Sequence, residues 1–338
     1  MTEEKIALVL GATGGIGGEV ARFLQARGWR IRALHRRGGA AARADGFDWL
    51  QGDAMKPDDV VAAARGASII VHGVNPPGYR NWGALVLPML EASIAAAKAS
   101  GARIILPGTV YNFGPDAWPT LREDSPQNPL TRKGAIRATM ERRLRAAANE
   151  GVRSLIVRAG DFFGPRAANN WFSQGLIRPG QPVKTIAYPG RKGVGHQWAY
   201  LPDVAEAMAR LIERGDRLGA FEVFHFDGQW DSDGAALVAA IARAVGKPGL
   251  KARAFPWQLI TLASPFVTLF REMREMRYLW REPLRMDNSR LAAFLGAEPH
   301  TPLDEAVRAT LLGLGCLPKD NAKAPVVGRA GGVGAFSA

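Results

Sequence analysis

Apolar positions along the first half of the chain alternate between two patterns. Short unbroken runs read as buried strands, and longer stretches repeating every three to four residues read as helices. The runs are Ile6 to Leu10, Trp29 to Leu34, Phe47 to Leu50, Ser68 to His72, Arg103 to Leu106 and Ser154 to Arg158. Helical period fills the gaps at Glu19 to Arg27, Pro57 to Arg65, Leu85 to Ser100 and Lys133 to Glu150. Alternation of this kind predicts an α/β fold, a doubly wound parallel sheet with helices on both faces. Ligands of such a sheet bind outside the carboxyl ends of its strands.

The first strand–helix junction carries the most chemistry. Gly11, Gly14 and Gly17 follow the apolar run at three-residue spacing, and Val20, Phe23 and Leu24 then repeat at helical period until Gly28. Glycines there let the backbone approach a pyrophosphate, whose charge the free N–H groups and the helix dipole hold. A glycine triplet is a weak signal by itself, but this one lies between a strand and a helix, as a dinucleotide site requires.

Past Gly164 the pattern changes. Residues 165–197 contain Pro165, Pro179, Pro182, Pro189 and many glycines, and read as a loop-rich excursion. An amphipathic helix in LPDVAEAMARLIERG and an alternating strand in AFEVFHFDG then return to the first domain. The expected division is a Rossmann domain over 1–165 and 198–228, and a smaller, mainly helical substrate domain over 166–197 and 229–316. The glycine- and alanine-rich 317–338 is expected to be a disordered tail.

Composition narrows the function. Of 338 residues, 47% are hydrophobic, enough for a real core, and the one cysteine, Cys316, excludes a disulfide framework or a cysteine zinc site. A reducing, cytoplasmic setting follows, and acidic residues ahead of a short apolar run are the wrong order for a secretory signal. No two histidines have metal-ligand spacing, so no metal is expected. The net charge of +13 favours anionic partners. No nucleic-acid motif is present, and a phosphate-bearing cofactor accounts for the excess more simply than nucleic acid does. Residues 254–270 are uncharged and followed by the basic, amphipathic REMREMRYLWREPLR. Burial against a substrate pocket is the expectation for 254–285, with a membrane-surface helix as the alternative.

Several segments together resemble the extended short-chain dehydrogenase/reductase family, the NAD(P)-dependent epimerase/dehydratase group. They are GATGGIG, GDAMKPDDV, SIIVHGV, IILPGTVYNFG, LIVRAGDFFGP, HQWAYLPDVAEAM and LAAFLGAEPHTPLDEAV, in family order over almost all of the first 315 residues. The resemblance implies that Gly11, Thr13, Gly14, Gly15, Ile16 and Gly17 line the pyrophosphate, and that Asp53 and Ala54 lie by the adenine. Gly73, Val74 and Pro107 would flank the ribose and nicotinamide, with Ala159 and Gly160 on the carboxamide side. It also implies a homodimer formed through the Leu85 to Ser100 and Lys133 to Glu150 helices.

The end of the second strand separates two cofactors. NAD-binding members usually place a carboxylate there for the ribose hydroxyl. This chain has His35, Arg36 and Arg37, and a guanidinium matches a 2′-phosphate in charge and fork geometry. NADP(H) is therefore expected over NAD(H), with a solvated basic loop as the plainer alternative.

The catalytic motif departs from the family. A Ser or Thr after strand five, and a tyrosine four residues before a lysine on the next helix, usually carry proton transfer alongside hydride transfer. Thr109 can supply the hydroxyl, but no tyrosine occurs between Tyr111 and Tyr188. Aligning on Glu141, which resembles a family glutamate, puts Lys133 at the tyrosine position and Arg137 at the lysine position. Arg137 and an oxidised nicotinamide would favour the neutral form of Lys133, which could then transfer a proton; equally, the pair could clamp a substrate carboxylate or phosphate. A solvated i,i+4 ladder is the plainer reading. Tyr111, Asp161 and Trp171 are candidate substrate contacts, while His196 and Tyr200 read as structural and His72, His225 and His300 as satisfied core or surface residues. The functional expectation is an NADP-dependent oxidoreductase or epimerase-like enzyme for a small organic or sugar-like carbonyl or hydroxyl substrate. A catalytically silent redox sensor is the alternative.

Overall fold

The computed structural model describes residues 4–38, 45–76, 81–167 and 170–318. β1 (Ile6–Leu10), α1 (Gly15–Gln25), β2 (Arg30–His35) and β3 (Asp48–Gln51) open the chain. α2 (Pro57–Ala63), β4 (Ile69–His72), α3 (Trp82–Ser100) and β5 (Arg103–Thr109) continue it. The two-residue β6 (Thr120–Leu121) precedes α4 (Arg132–Ala148) and β7 (Ser154–Ala159). Next come β8 (Asp161–Phe163), β9 (Ile186–Tyr188), β10 (His196–Tyr200), α5 (Leu201–Glu213) and β11 (Phe221–Phe226). β12 (Gln229–Asp231), α6 (Ala236–Ala244), β13 (Ala252–Ala254), α7 (Trp257–Ala263) and α8 (Thr268–Glu275) follow. β14 (Arg285–Met286), α9 (Ser289–Leu295) and α10 (Leu303–Gly313) complete the described chain.

Seven strands form one parallel sheet in the order β11-β7-β5-β4-β1-β2-β3. The strand order reverses at β1, so β1 and β4 diverge into a crevice at their carboxyl ends, where the glycine turn lies. Each face of the sheet buries its own apolar layer. One side packs Val20, Leu24, Val204 and Met208 of α1 and α5 against the strands, and the other packs Val86, Leu90, Met140 and Leu144 of α3 and α4. By length and composition α3 could cross a membrane, the one such helix among the described residues. Here it is a core layer instead, packed between α2 and α4.

Three sequence expectations need correction. Residues 165–197 are not all loop: β9 pairs in parallel with β13, and 172–176 form a π-helical turn. Strands of three residues are too short to show a period. Residues 198–200 belong to β10, which pairs with β8 and β12 in a separate small sheet rather than with the main one. Within the C-terminal region, α9 sends Leu291 and Leu295 into the core of the main sheet beside Phe224. The tail expected from 317 onward lies outside the described residues except for its first two positions.

Candidate active site

The glycine turn is interlocked backbone on backbone. Gly11 adopts φ +89°, and a Cβ there would meet the Gly73 carbonyl oxygen at 2.6 Å. A Cβ at Gly17 would lie 2.5 Å from the Gly11 carbonyl oxygen. Such contacts admit no side chain, so β1, β4 and the start of α1 meet closely enough for backbone to line a bound phosphate. Thr13 and Gly14 are exposed at the rim, with Gly15 and Ile16 beginning α1 behind them. Val74 follows Gly73 beyond β4, and Asp53 and Ala54 follow β3. The Asp53 carboxylate accepts the Met55 N–H at 3.0 Å, and its own N–H donates to Asp59 at 2.8 Å.

Just past β2, Arg36 and Arg37 are exposed, and among the described residues neither takes part in an ion pair. His35 is half-buried edge-on to Trp49, and its Nδ1 accepts the Arg37 N–H at 3.1 Å. Two guanidinium groups are therefore exposed just beyond the carboxyl end of β2.

At the carboxyl ends of β5 and β7, a buried network fixes the hydroxyl group. Arg158 spans Glu141 with contacts of 3.0 and 2.5 Å, both side chains almost fully buried. Glu141 also accepts from Asn112 and Gln127, each at 2.8 Å. Asn112 in turn accepts the Thr109 hydroxyl at 2.9 Å, and Thr109 lies beside the Tyr111 phenol, whose ionised form it favours. Glu141 thus links α4 to the strand ends. Gly134 lets the first turn of α4 sit directly on this segment, because a Cβ there would fall 2.1 Å from the Tyr111 carbonyl oxygen.

Arg137 lies on the same side. It donates to the Pro107 carbonyl at 3.2 Å and stacks over the Trp82 ring at 5.5 Å. Burial raises the Tyr111 phenol above its usual range, the Arg137 charge opposes that rise, and Asp161 adds to it. Burial thus disfavours the phenolate, and the Arg137 charge offsets part of that cost.

Lys133 faces elsewhere. Its side chain is 5% exposed, which removes the solvated-ladder reading. The ammonium meets Glu272 at 2.6 Å and Glu275 at 3.5 Å, and donates to the Glu272 carbonyl at 3.0 Å. Glu275 also accepts the Lys133 backbone N–H at 3.0 Å. The expected Lys133–Arg137 pair is thus divided: Arg137 binds the strand end, and Lys133 binds α8. A cavity of about 60 Å³ beside Lys133 is lined by Trp171, Leu269, Glu272, Met273 and Met276 among others.

Asp161, past Ala159 and Gly160, bonds His196 Nε2 at 2.9 Å, while Nδ1 faces the Leu279 carbonyl at 3.2 Å. His196 stacks on Trp280 at 3.8 Å. Trp171 meets Trp280 at 5.3 Å and Trp257 at 5.9 Å, so the three tryptophans form one aromatic wall. Burial moves the Tyr278 phenol up as well, and its buried hydroxyl has no hydrogen-bond partner among the described residues. His72 and His225 are buried core residues; burial pushes each down to about 3, helped by Arg137 and Arg158 respectively.

Sequence reasoning missed Asn112, Arg158, Glu272, Glu275 and Tyr278. Arg158 had a signal, since a lone arginine in the apolar run SLIVRA must find a buried partner. Glu272 and Glu275 stand at i,i+3 spacing, which puts them on one helical face among the basic residues of the segment.

A parallel sheet with a glycine cradle at its switch point, and hydroxyl and cationic groups at the neighbouring strand ends, is the arrangement of a dinucleotide-binding α/β fold. The family model for the NAD dependent epimerase/dehydratase family matches residues 7–225, and the chain belongs to that family. An uncharacterized protein y4nL of Sinorhizobium fredii is 30% identical over 183 residues, covering 47% of this chain and 51% of the relative. A 3-diazoavenalumate denitrifying reductase of a Streptomyces species is 29% identical over 174 residues, covering 47% and 56%. The chain thus matches about half the length of these curated relatives. The structure of UDP-glucose 4-epimerase from Bifidobacterium longum, in complex with NAD+ and UDP, shares the fold with a TM-score of 0.70 at 14% identity. That likeness covers 92% of this chain and 98% of the other.

Proposed function

We propose that this chain is an NADP(H)-linked oxidoreductase or epimerase-like enzyme for a small organic or sugar-like carbonyl or hydroxyl substrate. The observation that carries the reading is the meeting of Thr109, Tyr111 and Arg137 at the carboxyl end of β5. The glycine cradle fits a dinucleotide, because its backbone approach leaves no room for side chains. Arg36 and Arg37 support the 2′-phosphate form, with His35 ordering the turn between them. Thr13 to Gly17 would hold the pyrophosphate, Asp53 and Ala54 the adenine, and Gly73, Val74, Pro107, Ala159 and Gly160 the ribose–nicotinamide half. When bound, the cofactor supplies a hydride donor or acceptor. The Streptomyces relative is a reductase by name, which supports reduction as the direction.

Tyr111 takes the role that an α4 tyrosine has elsewhere in the family. Its half-buried phenol donates the hydroxyl proton to the substrate oxygen, and Arg137 stabilises the phenolate left behind. Thr109, held by Asn112, orients that hydroxyl. Lys133 is a positioning residue that fastens α8 over the cleft through Glu272 and Glu275, while Asp161 and Trp171 border the substrate. The single buried thiol suits a reducing compartment such as the cytoplasm.

The test is NADPH absorbance with a panel of aldehydes, ketones and nucleotide sugars. Tyr111→Phe is expected to lose about 10²- to 10⁴-fold in kcat with cofactor affinity intact. Lys133→Met should act mainly on KM. Full turnover in Tyr111→Phe overturns the assignment. NADPH binding without turnover of any substrate favours a redox-sensing role instead.

A further inference from the structure

Among the described residues, α7 and the start of α8 carry a second, outward apolar face besides the one they turn to the core. Trp257, Ile260 and Ser264 face the core, while Leu259, Leu262 and Phe266, at the same i, i+3, i+7 spacing, face outward. Leu262 is 77% exposed and Phe266 90%. Val267 and Leu269 extend the patch, so five of the six exposed large apolar side chains among the described residues lie within 259–269. Scattered exposed leucines are ordinary, but a contiguous outward stripe marks an interaction surface.

Charge identifies the partner. From residue 234 to 271 the sequence contains Arg243, Lys247, Lys251, Arg253 and Arg271, and no Asp or Glu. The acids that follow, Glu272 and Glu275, are turned inward onto Lys133, with Glu272 also 3.9 Å from the Arg271 guanidinium. The outer surface is therefore apolar with a cationic border, in which Lys251, Arg253, Arg271 and Arg274 are exposed.

We propose that α7 and α8 dock this protein onto an anionic phospholipid surface. Leu259, Leu262 and Phe266 enter the boundary between headgroups and acyl chains, and the bordering lysine and arginines meet lipid phosphates. A second copy of this chain fits less well. A two-fold contact would set the patch against itself and bring Arg271 and Arg253 near their own counterparts, whereas phosphodiester headgroups supply the missing negative charge. The inference does not depend on the reaction assigned above.

Co-sedimentation of the full-length protein tests it, using phosphatidylcholine vesicles with and without phosphatidylglycerol. Binding is expected to the anionic vesicles, to weaken by about tenfold on neutral ones, and to fall as salt rises. Leu262→Glu/Phe266→Glu should lose about tenfold or more of that binding with unchanged NADPH affinity and thermal melting. Arg253→Glu/Arg271→Glu should remove the preference for anionic lipid. Absent binding to either vesicle, or equal binding by the apolar double variant, overturns the proposal. So does light scattering that shows the same variant splitting a dimer into monomers.

Discussion

Arg158→Met removes one half of the buried pair that ties α4 to the strand ends. Arg158 and Glu141 are 2% and 5% exposed, and Glu141 receives two contacts from the guanidinium. Without Arg158, the Glu141 carboxylate keeps the Asn112 and Gln127 amides but loses the one ion-pair partner it has among the described residues. Leaving a buried charge unpaired costs about 3–5 kcal/mol, and the two amide donors place this case near the lower end. Replacing both partners by apolar side chains avoids that penalty. Glu141→Leu/Arg158→Met should therefore recover most of the lost stability, although Asn112 and Thr109 lose their anchor. Urea unfolding of the wild type, both single variants and the double variant measures the coupling directly. A loss below about 1 kcal/mol in Arg158→Met, or a double variant less stable than it, would refute the reasoning.

His225 sits against Arg158 in the core with its folded-state pKa pushed down to about 3, so unfolding takes up a proton below pH 6.5. Its contribution is present above pH 6.5 and is lost as pH falls toward 3, by about 1.4 kcal/mol per unit. Between pH 7 and 5 the wild type should thus lose about 2 kcal/mol more than His225→Gln in urea unfolding, and parallel pH curves would show that the ring is not buried neutral. Calorimetry should find NADPH bound more tightly than NADH, with Arg36→Ala/Arg37→Ala abolishing the difference; tighter NADH binding by the wild type rules out the 2′-phosphate assignment. Light scattering is expected to show a homodimer, built through the outer faces of α3 and α4 where Ala84, Pro88 and Ala135 are small and exposed. A monomer at micromolar concentration rules out that arrangement.

The parallel sheet was legible in the sequence because β1, β4, β5 and β7 are buried on both faces and must be continuously apolar. The glycine cradle was legible for a related reason, since a backbone that touches backbone leaves only one residue type at Gly11 and Gly17. The chemistry at the strand ends was less so. Lys133 and Arg137 are one helical turn apart on α4 and read as a pair, yet tertiary contacts pull them to different partners. Nothing local to α4 announces that Glu272 and Glu275, about 140 residues downstream, claim Lys133. The small sheet of β8, β10 and β12 escaped notice because its strands pair with distant segments and are too short for periodicity.

The most direct measurement of the central claim is a crystal structure of this protein with NADP+. The account predicts the 2′-phosphate against Arg36 and Arg37, and the nicotinamide at the carboxyl ends of β5 and β7. There the Tyr111 hydroxyl would come within about 3–3.5 Å of the substrate oxygen when a substrate joins the complex. A nicotinamide directed instead at Lys133 and Glu272, with Tyr111 shielded behind protein, would contradict it.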